Sequence, residues 1–234
     1  MTFGEVNMSF KRLLSAICAA FAIALAQPVL AQPVLAAGEG VSLPPAQVGE
    51  DGLHLQSWFH ESFLDLREDL AEAEAAGKRL VIIWEQRGCP YCKRMHEVNL
   101  RIPRIADTIQ RDFMVIRMNL WGDREVTDFD GEVLKEKDLT EKWGILFTPT
   151  IQFFPATSAE VAGKSGRDAE VVRIPGYFKP FHFYFLFRYA KTNGYEAEPN
   201  FQRWLGGIGD KLEAAGVEYD LYADELPANI PDDL

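Results

Sequence analysis

Apolar residues Phe59, Phe63, Leu66 and Leu70 recur at i, i+4, i+7 and i+11 behind Ser57, a residue suited to capping. The rhythm predicts a helix from Ser57 that stops at Gly77, a natural helix end. Leu80 to Trp84 are then apolar without interruption, as in a strand buried on both faces. Gly88-Cys89-Pro90 turns the chain into a second helix, with proline in the first turn where a missing N–H costs nothing. Pro103 opens a third helix, running to Arg111, and Phe113 to Leu120, rich in Val, Ile and Met, reads as a second strand. Trp121 to Lys142 is strongly charged and reads as a surface loop leading into a short helix over Leu134 to Trp143. Thr150 to Phe154 and Val171 to Ile174 read as paired strands around a polar, Gly-containing loop. Lys179 to Lys191 forms an aromatic-rich helix that breaks at Asn193-Gly194, and Phe201, Leu205, Ile208 and Leu212 mark one more amphipathic helix.

This alternation predicts an α/β fold in three layers, a central mixed sheet flanked by helices and ending in an antiparallel hairpin, with an extra C-terminal helix. The chain divides accordingly. Residues 1–36 form a leader and 37–56 a linker; 57–192 make the domain, and 193–234 a helical extension with a loosely held acidic tail.

The 234 residues, 47% apolar and 25% charged, suffice for a sizeable core and exclude a disordered or disulfide-dense chain. A formal charge of −11 opposes binding to phosphate backbones, so nucleic acid is not an expected partner. Lys11 and Arg12 precede an apolar run from Leu13 to Ala26, about 14 residues and short of the roughly 20 a membrane span needs. Small residues follow, with Val34-Leu35-Ala36 or Val29-Leu30-Ala31 as cleavage sequences, so a cut falls between Ala31 and Ala37. The layout is that of a signal peptide and predicts an exported, periplasmic protein; an uncleaved anchor is the alternative.

Of the three cysteines, Cys18 lies in the leader, and Cys89 and Cys92 form one Cys-Pro-Tyr-Cys motif between a buried strand and a helix start. At a helix N-terminus, unpaired N–H groups and the helix dipole favour a thiolate, the nucleophile of disulfide exchange. Cys92, one turn later, can attack the resulting mixed disulfide and release the product. Cys89 is therefore the expected nucleophile and Cys92 the resolving thiol, with Arg87, Lys93 and Arg94 adding positive charge around them. Zinc needs four ligands and this motif supplies two; His54, His60, His96 and His182 form no second ligand pair, so no metal is expected. Haem attachment would need histidine where Lys93 stands. A cluster bridging two copies, or a purely structural short disulfide, remains an alternative.

The order of strand, Cys-Pro-Tyr-Cys, Trp143-Gly144-Ile145, Thr148-Pro149-Thr150 and Pro175-Gly176-Tyr177 resembles the thioredoxin superfamily over Ser57 to Thr192. The resemblance implies a thioredoxin-like fold in which Pro149 is cis and packs on the cysteine pair. Pro90, Tyr91, Thr148 and Pro149 would then meet a bound peptide. Trp84-Glu85-Gln86, Asn119-Leu120-Trp121-Gly122 and Pro175 to Pro180 are similar to periplasmic thioredoxin-like reductases, including those encoded with sulfur-oxidation systems. That likeness implies reduction of a partner protein's disulfide, a membrane electron donor, a monomer, and no cofactor beyond the redox-active Cys89–Cys92 disulfide. A disulfide oxidase, an isomerase or a non-enzymatic binding module on the same scaffold stays open.

Thioredoxins keep a buried acid where this chain has Ile83. Glu85, two residues on and on the same strand face, is the candidate for proton transfer with Cys92; the other reading is a solvated carboxylate at a strand end. Phe181, Phe183, Tyr184, Phe185, Phe187 and Tyr189 are expected to fill the core. Asp123, Asp128, Asp130 and Glu132 superficially resemble a calcium loop, but their spacing fits no EF-hand.

Overall fold

A computed structural model describes residues 42–234. The signal-peptide reading therefore lies outside the described residues. The elements are β1 (Gln47–Val48), β2 (His54–Leu55), α1 (Leu66–Ala75), β3 (Arg79–Glu85), α2 (Pro90–Glu97), α3 (Pro103–Asp112), β4 (Phe113–Asn119), β5 (Glu125–Thr127) and β6 (Val133–Lys135). They continue with α4 (Glu136–Trp143), β7 (Thr150–Phe153), α5 (Gly166–Ala169), β8 (Val172–Pro175), α6 (Pro180–Lys191), α7 (Gly194–Ala197) and α8 (Phe201–Ala214).

The central sheet has the order β4-β3-β7-β8. β3 runs parallel to β4 and antiparallel to β7, and β7 is antiparallel to β8, the mixed sheet the alternation predicts. Every residue of β3 is buried. Its alternate side chains feed two cores, as the period of two requires. Val81 and Ile83 pack with Met95 of α2, Ile105 and Ile109 of α3, and Phe181 and Phe185 of α6. Leu80, Ile82 and Trp84 pack with Leu66 and Leu70 of α1 and with Leu139 and Trp143 of α4. The aromatic cluster of α6 is buried, as expected of core residues.

Three segments differ from the sequence reading. The first helix begins at Leu66, not near Ser57, because Leu64 adopts a left-handed φ of 64° and Asp65 supplies the cap, accepting from the Arg67 N–H. Phe63, on the predicted apolar face, is fully exposed. The segment read as a linker carries the β1–β2 hairpin and buries Leu53. The tail is also docked rather than loose. Ile230 is buried, Arg104 donates to its carbonyl and to Asp232, and Arg188 donates to the Asp232 carbonyl. Long-range contacts of this kind leave no trace in local periodicity.

The acidic loop becomes the β5–β6 hairpin and α4. Its carboxylates converge on lysine: Lys142 Nζ lies 2.7 Å from Asp128, 2.7 Å from Asp130 and 2.8 Å from Glu132. Asp123 instead pairs with Lys135 and Lys137.

Candidate redox site

β3, an interior strand, ends at Glu85, and Gly88, at a left-handed φ of 75°, turns the chain into α2. Cys89 is the cap of that helix and Pro90 its first residue. Cys89 and Cys92 are joined by a disulfide, with Cα atoms 5.3 Å apart. The Cys92 backbone N–H donates to Cys89 Sγ at 3.0 Å, so one of the free donors at the helix start points at the first sulfur. Cys89 keeps 5% of its surface in solvent while Cys92 keeps none, which makes the first cysteine the one an incoming group can reach.

Across from the disulfide, Cys89 Sγ lies 3.4 Å from the Thr148 carbonyl oxygen. The Thr148–Pro149 peptide bond is cis. The Gly176 N–H donates to the Pro149 carbonyl at 2.7 Å, and Thr150 Oγ1 donates to the Phe147 carbonyl at 2.8 Å, fixing the loop against β8. The structure thus brings Cys89, Cys92 and the Thr148–Pro149 step to one place. Exposed apolar side chains lie near them beside the charged Arg87 and Lys93: Tyr91, Trp121, Leu146 and Phe147 are all at least half exposed. Tyr91 stacks on Tyr177 with centroids 6.4 Å apart, and Trp121 donates its indole N–H to Gln86 at 2.8 Å.

Glu85 points to the α2 side of the sheet, as strand alternation predicts, but it is not a solvated carboxylate. It is completely buried. Its Oε1 lies 2.6 Å from Nε2 of His96, itself completely buried one turn after Cys92. Its hydrogen bond goes to this imidazole, not to the cysteine pair. Nδ1 of His54, from β2, lies 3.6 Å from the other oxygen, Oε2, which has no hydrogen-bond partner. The two imidazoles stack, with centroids 4.9 Å apart. Burial opposes the charge on Glu85, yet the imidazoles of His54 and His96 outweigh it and hold the carboxyl below the usual carboxylate range. Gln56 Nε2 lies 3.1 Å from His96 Nδ1. The sequence reading set all four histidines aside as unpaired. His54 and Gln56 sit in a short hairpin far upstream of the motif, and no spacing announces that they meet His96.

The family model of a thioredoxin-like domain matches residues 66–191, more than half of the chain. No curated protein matches it. Among solved structures, a thioredoxin-fold protein from Helicobacter pylori is 16% identical with a TM-score of 0.43, covering 60% of this chain and 85% of its own. A Thermus thermophilus thioredoxin is 22% identical with a TM-score of 0.41, covering 53% of this chain and 82% of its own. A poplar thioredoxin h is 20% identical with a TM-score of 0.34, covering 52% of this chain and 86% of its own. With the family match spanning the sheet, the cysteine pair and the proline loop, this chain belongs to the thioredoxin-like domain family.

Proposed function

We propose that this protein is an exported thiol–disulfide oxidoreductase that reduces disulfides of a partner protein. The observation that carries the proposal is the disulfide itself: a buried pair whose more exposed member, Cys89, sits at a helix start with exposed apolar side chains nearby. Such a surface suits an extended protein segment better than a small solute. The buried Thr148 hydroxyl, without a partner among the described residues, adds a free polar group beside it.

In the reduced form the Cys89 thiolate attacks one sulfur of the substrate disulfide. A Cys89–substrate bond forms, the substrate S–S bond breaks, and the first substrate thiolate leaves. Cys92, as thiolate, then attacks Cys89 Sγ, closing the Cys89–Cys92 bond and expelling the second substrate thiolate. Two electrons pass to the substrate, and an external dithiol donor at the membrane restores the protein. Export rests on the charged start and apolar run of residues 8–37.

The direction is tested by equilibrating the cysteine pair with defined thiol buffers and reading its state by alkylation and mass. A potential around −270 mV, typical of thioredoxin, supports the reducing role. One around −120 mV makes the protein an oxidase, and no reversible disulfide at any poise ends the redox reading.

A further inference from the structure

We propose that His54, Glu85 and His96 form a binding site for a divalent transition metal of the zinc class. Three elements contribute one ligand atom each: Nδ1 of His54 from β2, a carboxylate oxygen of Glu85 from β3, and Nε2 of His96 from α2. These atoms all lie within 4.8 Å of one another. A tetrahedral centre with bonds of about 2.0–2.2 Å spaces its ligands roughly 3.3–3.6 Å apart, so the three come within reach of one cation once the stacked imidazoles of His54 and His96 rotate to bring both ring nitrogens onto it. Two imidazoles and one carboxylate are also a donor set used by catalytic zinc, with the fourth position left open. Nitrogen donors disfavour calcium and magnesium.

The unpartnered oxygen points the same way. Glu85 Oε2 is buried, aimed toward His54, and has no hydrogen bond. Leaving a buried acceptor unsatisfied is costly, and a cation between Glu85 and His54 removes that cost. His54 is the one partly exposed member, its side chain 16% accessible, and so provides the entry path.

Gln56 supplies the outer contact such a site needs. For Nε2 of His96 to ligate, its Nδ1 must carry the proton. The Gln56 amide lies 3.1 Å from Nδ1, and turned over it accepts a hydrogen bond from Nδ1–H through Oε1. Outer hydrogen bonds of this kind change metal affinity by about 10- to 100-fold.

The test uses the full chain in its disulfide form, so that thiolates cannot compete. Zn²⁺ is titrated against a chromophoric chelator, and Co²⁺ is added to read the visible bands of a tetrahedral site. We expect one Zn²⁺ per chain, at least a 100-fold loss of affinity in His54→Ala, a lesser loss in Gln56→Leu, and retention in the Cys89→Ser/Cys92→Ser double variant. Glu85→Gln and His96→Gln should abolish the Co²⁺ bands, with circular dichroism reporting whether each variant folds. His54→Ala carries the test if those buried variants do not. Absence of binding to the oxidised wild type, unchanged affinity in His54→Ala, or binding seen only with free cysteines overturns the site.

Discussion

The backbone N–H of Cys92 donates a 3.0 Å hydrogen bond to Sγ of Cys89. The bond ranks the two sulfurs: one receives a donor at the positive end of a helix, the other is buried without solvent. In the reduced protein, Cys89 should alkylate with a pH midpoint about one unit or more below that of a free thiol, and Cys92 well above Cys89. Iodoacetamide rates measured across pH on the Cys89→Ser and Cys92→Ser variants read the two midpoints. Equal midpoints would contradict the ranking.

Lys142 neutralises a buried carboxylate. Asp128 has no exposure and also accepts from the Trp143 indole, the Gly166 N–H and the Phe129 N–H. Replacing Lys142 with Met leaves Asp128 charged and without its cationic partner, and should cost about 3 kcal/mol of stability in urea unfolding. In an Asp128→Asn background, where no buried carboxylate remains to be neutralised, Lys142→Met should cost less than in the wild type. A cost below about 0.5 kcal/mol would mean the other donors alone hold the carboxylate.

Asp69 makes stability depend on acidity in an uncommon direction. Burial pushes its carboxyl up to about 6, against the lowering pull of the Ser62 hydroxyl and nearby His60, while Glu72 and Asp65 push it up further. The unfolded chain holds an aspartate near pH 4, so the folded state binds this proton more tightly. Its contribution is complete below about pH 4 and lost as pH rises through about 6, at most about 3 kcal/mol in all. Asp69→Asn keeps an acceptor for Ser62 and cannot ionise. The variant should therefore gain on the wild type between pH 4 and 7 in paired urea titrations. A constant difference across that range would show that Asp69 titrates alike in both states.

Much of the fold was legible because it is local. The apolar run at Leu80–Trp84, Pro90 after Cys89, and Asn193 in a left-handed turn each announce their element at the place where it forms. The start of α1 was not, since Ser57 and Asp65 both offer caps and the left-handed Leu64 carries no sequence mark. The cysteine pair and the Thr148-Pro149 step were readable as motifs. The His54–Glu85–His96 group was not, because its members are joined by the way β2 lies on α2 rather than by spacing.

The redox helix is held from outside the family's own span. On one flank, His54 and Gln56 from the N-terminal hairpin reach Glu85 and His96; on the other, Asp224 of the tail binds Arg94, and Lys179 as well. Both supports lie beyond residues 66–191. The added ends thus grip α2, the helix that carries the cysteine pair, from segments outside the matched domain.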